Sequence, residues 1–208
     1  MARPIVFTHL ADDSVGGDTE NNGDYQGAGQ WKGIVFNPTS TGSLLDQVEV
    51  RYGAGNRLGD SQYGGIVVNS APLTLTNSVV SNSYPGIRII NANPVISGVT
   101  FKDNVTAAIQ MDLASDPVIT GVDFVNNQVN GLMLDGGTLT RDMTWNNPDV
   151  VYLTWGEIVI PAGKTLTINA GIVVKLPPLY GFGVHGTLRA LGTASRPVII
   201  TKYTDDTA

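Results

Sequence analysis

Between Pro72 and Leu134 the chain alternates apolar and polar residues in short bursts and never in long runs. Val118, Thr120, Val122 and Phe124 mark one such burst, the spacing of a half-buried strand. An asparagine follows each burst, at Asn82, Asn104 and Asn127, and a second apolar run closes the unit: Ile87-Arg88-Ile89, Ile109-Gln110-Met111, Leu132-Met133-Leu134. No segment carries a helical period. Three such lines, "PLTLTNSVVSNSYPGIRI", "PVISGVTFKDNVTAAIQM" and "PVITGVDFVNNQVNGLML", start at Pro72, Pro94 and Pro117, 22 and 23 residues apart. A weaker fourth, "TLTRDMTWNNPDVVYL", starts at Thr138.

Strands with frequent turns also suit a sandwich, but sandwich strands do not repeat their sequence. A period near 22 accommodates three short strands and three bends, and stacking such units gives a parallel β-solenoid. Like residues then lie above one another about 4.8 Å apart. The expected inward stacks are Val99, Val122 and Met143, and Phe101, Phe124 and Trp145. The turn asparagines are expected either to bond to one another in a ladder or to serve as ordinary left-handed turn residues. Strand-like runs broken by Gly and Asn flank the repeats on both sides, so the chain reads as one domain over residues 1–208, with an acidic loop inserted at 11–30.

The chain also restates itself. "RPIVFT" at Arg3–Thr8 returns as "RPVIIT" at Arg196–Thr201, and Asp12-Asp13 returns as Asp205-Asp206, always 193 positions later. Composition sharpens the picture without changing it. Of 208 residues 14% are charged, against about 25% in an average protein. The net charge of −6 argues against nucleic acid and against an anionic membrane surface. No apolar run is long enough to span a bilayer. The absence of cysteine excludes disulfides, thiol nucleophiles and thiolate metal sites.

Five runs carry a resemblance: "IVIPAGKTLTINAGIVVKL", "VHGTLRALGTASRPVIIT", the acidic stretch after Asp12, "WKGIVF" and "LLDQVEVRYG". The chain resembles the right-handed parallel β-helix repeat proteins of the pectin-lyase-like superfold, in the form found in secreted and surface proteins of bacteria. The resemblance implies an all-β, right-handed parallel β-helix, and the length then gives eight to nine coils. It also implies a secreted or cell-surface location, with the export signal outside this sequence. The family's pieces occur here in rotated order, so the chain is expected to be one period cut from a longer array, with exposed ends prone to end-to-end self-association. The superfold hosts lyases, hydrolases, adhesins and stalks, so the resemblance speaks for fold more than for activity.

Candidate chemistry is sparse. Asp12, Asp13, Asp18, Glu20, Asn22 and Asp24 place hard oxygen donors around glycines, as Ca²⁺ requires. Positions 18 to 24 approximate the start of an EF-hand loop. Glu20 replaces the usual Asp or Asn, and Gly29 stands where the closing Glu belongs. The alternative is a solvated acidic loop shaped by Asx turns. For glycoside hydrolysis two facing carboxylates are needed, and Asp112 and Asp135, 23 residues apart, are the pair that neighbouring coils would bring together. Turn aspartates are the alternative. Asp103 is expected to stack on Asn126. Nothing matches the lyase pattern residue by residue. Tyr25, Tyr63, Tyr84 and Tyr180 fall in turns and offer either a sugar-stacking platform or ordinary exposed rings. The functional expectation is a non-catalytic structural or adhesive module touching polysaccharide or a surface glycan, against a polysaccharide lyase or hydrolase, or an inert spacer.

Overall fold

The computed structural model describes residues 4–21, 23, 29, 31–54 and 63–207. Within them the chain is all β, with 23 strands and no helix. Every strand pairing is parallel. The strands build a three-faced parallel solenoid, as the repeat predicts. One face is continuous. Its eight strands follow the order Ile34–Phe36, Ile66–Asn69, Ile87–Ile90, Ala107–Met111, Val129–Leu134, Tyr152–Thr154, Val173–Leu176 and Ile199–Lys202. The other two faces are interrupted. The second holds five strands from Ile5–Phe7 to Asp123–Val125, then a separate three from Met143–Trp145 to Thr187–Leu191. The third holds four strands from Ser43–Asp46 to Val118–Thr120, then three from Gly137–Thr138 to Phe182–Val184. The chain thus makes seven complete three-strand turns and a partial first one. This is slightly fewer than length and period suggest, because the stretches before Ile34 and Ile66 exceed an ordinary turn.

The core is a set of columns. Leu75, Ile96 and Ile119 stack inward from the third face and Val80, Phe101 and Phe124 from the second. Ile87, Ile109, Leu132, Tyr152 and Val174 stack from the long face. These residues lie in one contiguous cluster. The Phe101 and Phe124 rings stack at 6.1 Å, as expected. Met143 and Trp145 begin the new sheet instead of extending that pairing, and Trp145 stacks on Tyr152 at 5.2 Å. Parallel strands two to six residues long cannot hold together alone. Burial against the turns above and below stabilises each one.

The first four bends from the third face to the second each turn on one left-handed residue: Gln47, Asn77, Gly98 and Gly121, with φ of 54°, 49°, 64° and 57°. The next bend carries two columns where the sequence suggests one. Asn82, Asp103 and Asn126 share the left-handed position, with φ of 52°, 55° and 56°, and Asn126 donates to Asp103 Oδ1 at 2.8 Å. Ser83, Asn104 and Asn127 form the adjacent buried column. Asn127 Oδ1 accepts from Asn104 N at 3.1 Å and Asn104 Nδ2 at 2.7 Å, and Asn104 Oδ1 accepts from Ser83 N at 3.1 Å. Both expected roles of asparagine are therefore present, in neighbouring columns. Asn82 belongs to the first, because from Thr74 onward the offset between lines is 21 residues, not the 22 counted from the prolines.

Where the two short faces break, side chains take over from backbone pairing. The Arg141 guanidinium donates to the carbonyls of Ala114 and Ser115, and Asn147 Nδ2 donates to Ile119 O at 2.9 Å. Just beyond, Gly136 lies against Gly156. A Cβ on Gly136 would come within 2.7 Å of Gly156 Cα, so the turns close together there only because neither has a side chain.

Candidate functional site

The outer surface of the long face carries a groove, and the strand register explains its lining. The outward-facing row of that sheet reads Val67, Arg88, Gln110, Met133, Leu153, Lys175, Thr201 on successive turns. A second row lies two residues on, at Asp112, Asp135 and Trp155. Their amides donate to Ile89 O, Met111 O and Leu134 O in the same ladder pattern. The groove runs between the second row and a wall formed by Thr106, Gln128 and Val129.

Two compartments fill the groove. One, about 320 Å³, has Gln110 and Met133 in its floor, Gln128 and Val129 on one side and Trp155 on the other. Trp155 is 59% exposed although Met133 in the floor is buried. The next compartment, about 350 Å³, is lined by Asn127, Asn130, Leu153, Lys175 and Asp206. Tyr203 lies between them and lines both. Its ring packs on a small apolar cluster, separate from the main core, formed by Ala107, Val129, Met133 and Leu153. A larger hollow of about 560 Å³ near Pro177 and Ile200 is almost wholly apolar and gathers no set of polar groups.

The electrostatics of the groove are settled by pairing. Asp135 Oδ2 accepts from Arg88 Nη2 at 2.6 Å, and Asp135 Oδ1 accepts from Gln110 Nε2 at 3.0 Å. Lys175 Nζ donates to the Asp205 carbonyl and stands 3.8 Å from Asp206. The turn that carries Tyr203 is fixed by Asp205, whose carboxyl is lowered from 3.8 to about 2. The Thr201 hydroxyl is the main cause, then the Thr207 hydroxyl and amide, with a smaller contribution from Lys175.

Asp112 and Asp135 do lie at equivalent positions of adjacent turns, as the sequence spacing indicates. They are not a facing pair of available carboxylates. Asp112 Oδ1 accepts from Ala114 N, Ser115 N and Ser115 Oγ, and its Oδ2 accepts from Asn91 N at 2.9 Å. Its work is to shape a turn, while Asp135 binds a cation. In the acidic loop, Asp12 is buried and turned to its own neighbours. Thr8 Oγ1 and Arg51 Nε meet Asp12 Oδ2 at 2.5 and 2.7 Å, and Ser14 Oγ meets Oδ1 at 2.6 Å. Burial alone would raise that carboxyl, but the Ser14 and Thr8 hydroxyls and Arg51 outweigh it and leave it lowered. Asp18 Oδ2 accepts from Gly23 N at 3.3 Å, and Glu20 is exposed. Asn22 and Asp24 lie outside the described residues, as does Tyr25. Among the described residues no three His, Asp or Glu gather as a metal cage.

The sequence echo returns as a repeated turn at two different addresses. Thr201 and Asp205 repeat the Thr8–Asp12 bond at 2.6 Å, but Ile5–Phe7 lies on the second face and Ile199–Lys202 on the long one. Of the turn tyrosines, Tyr63 and Tyr84 are half-buried and Tyr180 is 52% exposed. None of these three lines the groove compartments. The aromatic residues that do, Trp155 and Tyr203, were not flagged by the sequence pattern. Extending the 23-residue step from Asp112 to Asp135 does not reach Trp155, because the next turn is three residues shorter on this row.

The comparisons agree with this architecture. The family description "Right handed beta helix region" matches residues 32–177. The chain belongs to the right-handed β-helix family. A further similarity is to Protein bark beetle of Drosophila melanogaster, 32% identical over 72 residues. That match covers 35% of this β-helix and 2% of the relative, so the chain spans only a small fraction of that protein's length. No solved structure matches this β-helix. No helix among the described residues is long and apolar enough to cross a membrane.

Proposed function

We propose that this β-helix is a non-catalytic module working outside the cell, where its groove holds a glycan chain against the long face. The observation that carries the reading is the compartment under Trp155. An exposed indole stands beside a floor of buried Met133 and half-buried Gln110, and the amides of Gln110 and Gln128 belong to the same lining. The apolar C–H face of a pyranose stacks on such a ring, while amide groups both donate to and accept from hydroxyls. The acids nearby are committed to Arg88, Gln110 and backbone amides, which leaves no facing acid–base pair for glycoside hydrolysis.

Retention and product formation on a panel of soluble polysaccharides test this reading. Retention without new reducing ends or unsaturated sugars is expected, and Trp155→Ala is expected to abolish it with an unchanged melting temperature. Product formation would return the lyase or hydrolase reading to first place, and neither retention nor product would favour the spacer. A second feature supports end-to-end contact between copies. Ile5 and Leu44 are each 63% exposed on first-turn strands, and Leu191 and Ile200 are exposed on the last turn. Light scattering over a dilution series is expected to show association that a strict monomer would refute.

A further inference from the structure

From the pairing of every charge along the groove, and resting on the glycan reading above, we infer that the Trp155 compartment accepts a short, uncharged stretch of glycan, and that Tyr203 is the wall that sets its length. Three observations lead there. The first concerns charge. The two cations of the outward row are occupied, Arg88 by Asp135 at 2.6 Å and Lys175 by the Asp205 carbonyl with Asp206 nearby. A uronate carboxylate entering the groove finds these two cations already paired and meets Asp135, which is bonded to Gln110 of the lining, as a like charge. Repulsion from a carboxylate 29% exposed is only partly screened, whereas Asp206 lines the next compartment and is almost fully exposed. An uncharged sugar meets neither penalty, and the second amide proton and the carbonyl of Gln110, together with the Gln128 amide, suit its hydroxyls.

The second observation concerns length: Gln110, Met133 and Trp155 of the lining belong to successive turns, so the compartment from first to last measures about 10 Å at the ordinary strand spacing. That is room for a disaccharide laid along the solenoid axis. The third concerns the wall. Tyr203 borders both compartments and packs on the small apolar cluster that holds Val129, Met133 and Leu153. Its amide donates to Leu176 O at 2.8 Å at the end of the long face, and the Asp205 turn and Lys175 fix the bend that follows. Without the ring the two compartments become one trench running on past Leu153 to Lys175. Tyr203 is therefore a specificity-determining residue whose removal changes which ligand fits, beyond how tightly it binds.

The experiment is calorimetric titration of the whole chain with two ladders, neutral gluco- or manno-oligosaccharides and oligogalacturonides, each from monosaccharide to hexasaccharide. Affinity for the neutral ladder is expected to rise to the disaccharide and then level off. The uronate ladder is expected to bind roughly tenfold more weakly, the cost of one poorly screened like-charge contact, with the gap narrowing as salt is raised. In Tyr203→Ala, and in Tyr203→Leu, which keeps the apolar contact, the rise is expected to continue beyond the disaccharide. Tyr203→Phe is expected to keep the wild-type plateau. Circular dichroism establishes that each variant is folded. Uronates binding as well as neutral sugars, or a plateau unmoved in both shortened variants, would overturn this inference while leaving a glycan groove intact. Failure of both ladders to bind, or binding untouched by Trp155→Ala, would instead overturn the glycan reading on which it rests.

Discussion

Asn127→Ala is the substitution that most directly tests how this solenoid is held together. The Asn127 amide joins two adjacent turns at a buried site. Its Oδ1 accepts from Asn104 N at 3.1 Å and Asn104 Nδ2 at 2.7 Å, and its Nδ2 donates to Phe101 O at 2.9 Å and to Asn130 Oδ1 at 2.9 Å. Asn130 is exposed and regains water when the amide is removed. The other groups belong to Asn104 and Phe101, which are 2% and 0% exposed; Asn104 N and one Asn104 Nδ2 proton lose their partner, while the other proton stays on Val80 O at 3.1 Å, and Phe101 O loses an amide donor. At about 1–3 kcal/mol for each unsatisfied buried group, with water admitted to the new cavity recovering part of it, the expected cost is about 2–5 kcal/mol. Thr120→Ala serves as the control. Its hydroxyl donates to Ser97 Oγ at an exposed site, and the expected change is below about 0.5 kcal/mol. Urea denaturation followed by far-UV circular dichroism reads both. If Asn127→Ala falls within about 1 kcal/mol of the wild type, the asparagine column is ornamental and the apolar stacks alone carry the fold.

Four further outcomes are expected. The Asp205 carboxyl is lowered from 3.8 to about 2, so its stabilisation of the Tyr203 turn is fully present above pH 3.8 and lost as the pH falls through 2. Hydrogen exchange at the amides of residues 203–207 is expected to quicken over that window, and unchanged protection would refute the role given to Thr201 and Thr207. Arg51→Met leaves the buried Asp12 carboxylate with only the Thr8 and Ser14 hydroxyls, and is expected to destabilise by about 2–3 kcal/mol. Chelator is expected to leave the wild-type melting temperature unmoved, and a clear drop would mean that the acidic loop holds a cation after all. Gly136→Ala places a methyl group within 2.7 Å of Gly156 Cα and is expected to cost about 1–3 kcal/mol by overpacking, read as a lower urea midpoint.

The fold was legible because a solenoid writes its register into the sequence. Residues 21 to 23 positions apart face the same way, so Phe101 over Phe124 and Asp103 beside Asn126 could be read directly. The asparagine columns were half legible. Counting from Pro72 puts Asn82 with Asn104, but one extra residue before Thr74 shifts it beside Asp103. The groove was not legible. Trp155 sits beyond the irregular stretch at 135–142, where two faces lose their pairing and the period no longer predicts which residue faces out. Tyr203 reaches its place through a turn held by side-chain bonds to Asp205, and no periodicity encodes that.

The contrast between one unbroken face and two interrupted ones has a mechanical meaning. Eight strands bonded in series make the long face a tension-bearing spine. At the level of Arg141 the other faces have no backbone ladder, only a guanidinium and an amide stitched across the gap. A unit pulled along its axis yields first on that side and bends about the spine. Because the groove beside Trp155 lies on the spine, its geometry is the part of the molecule best protected from stretching.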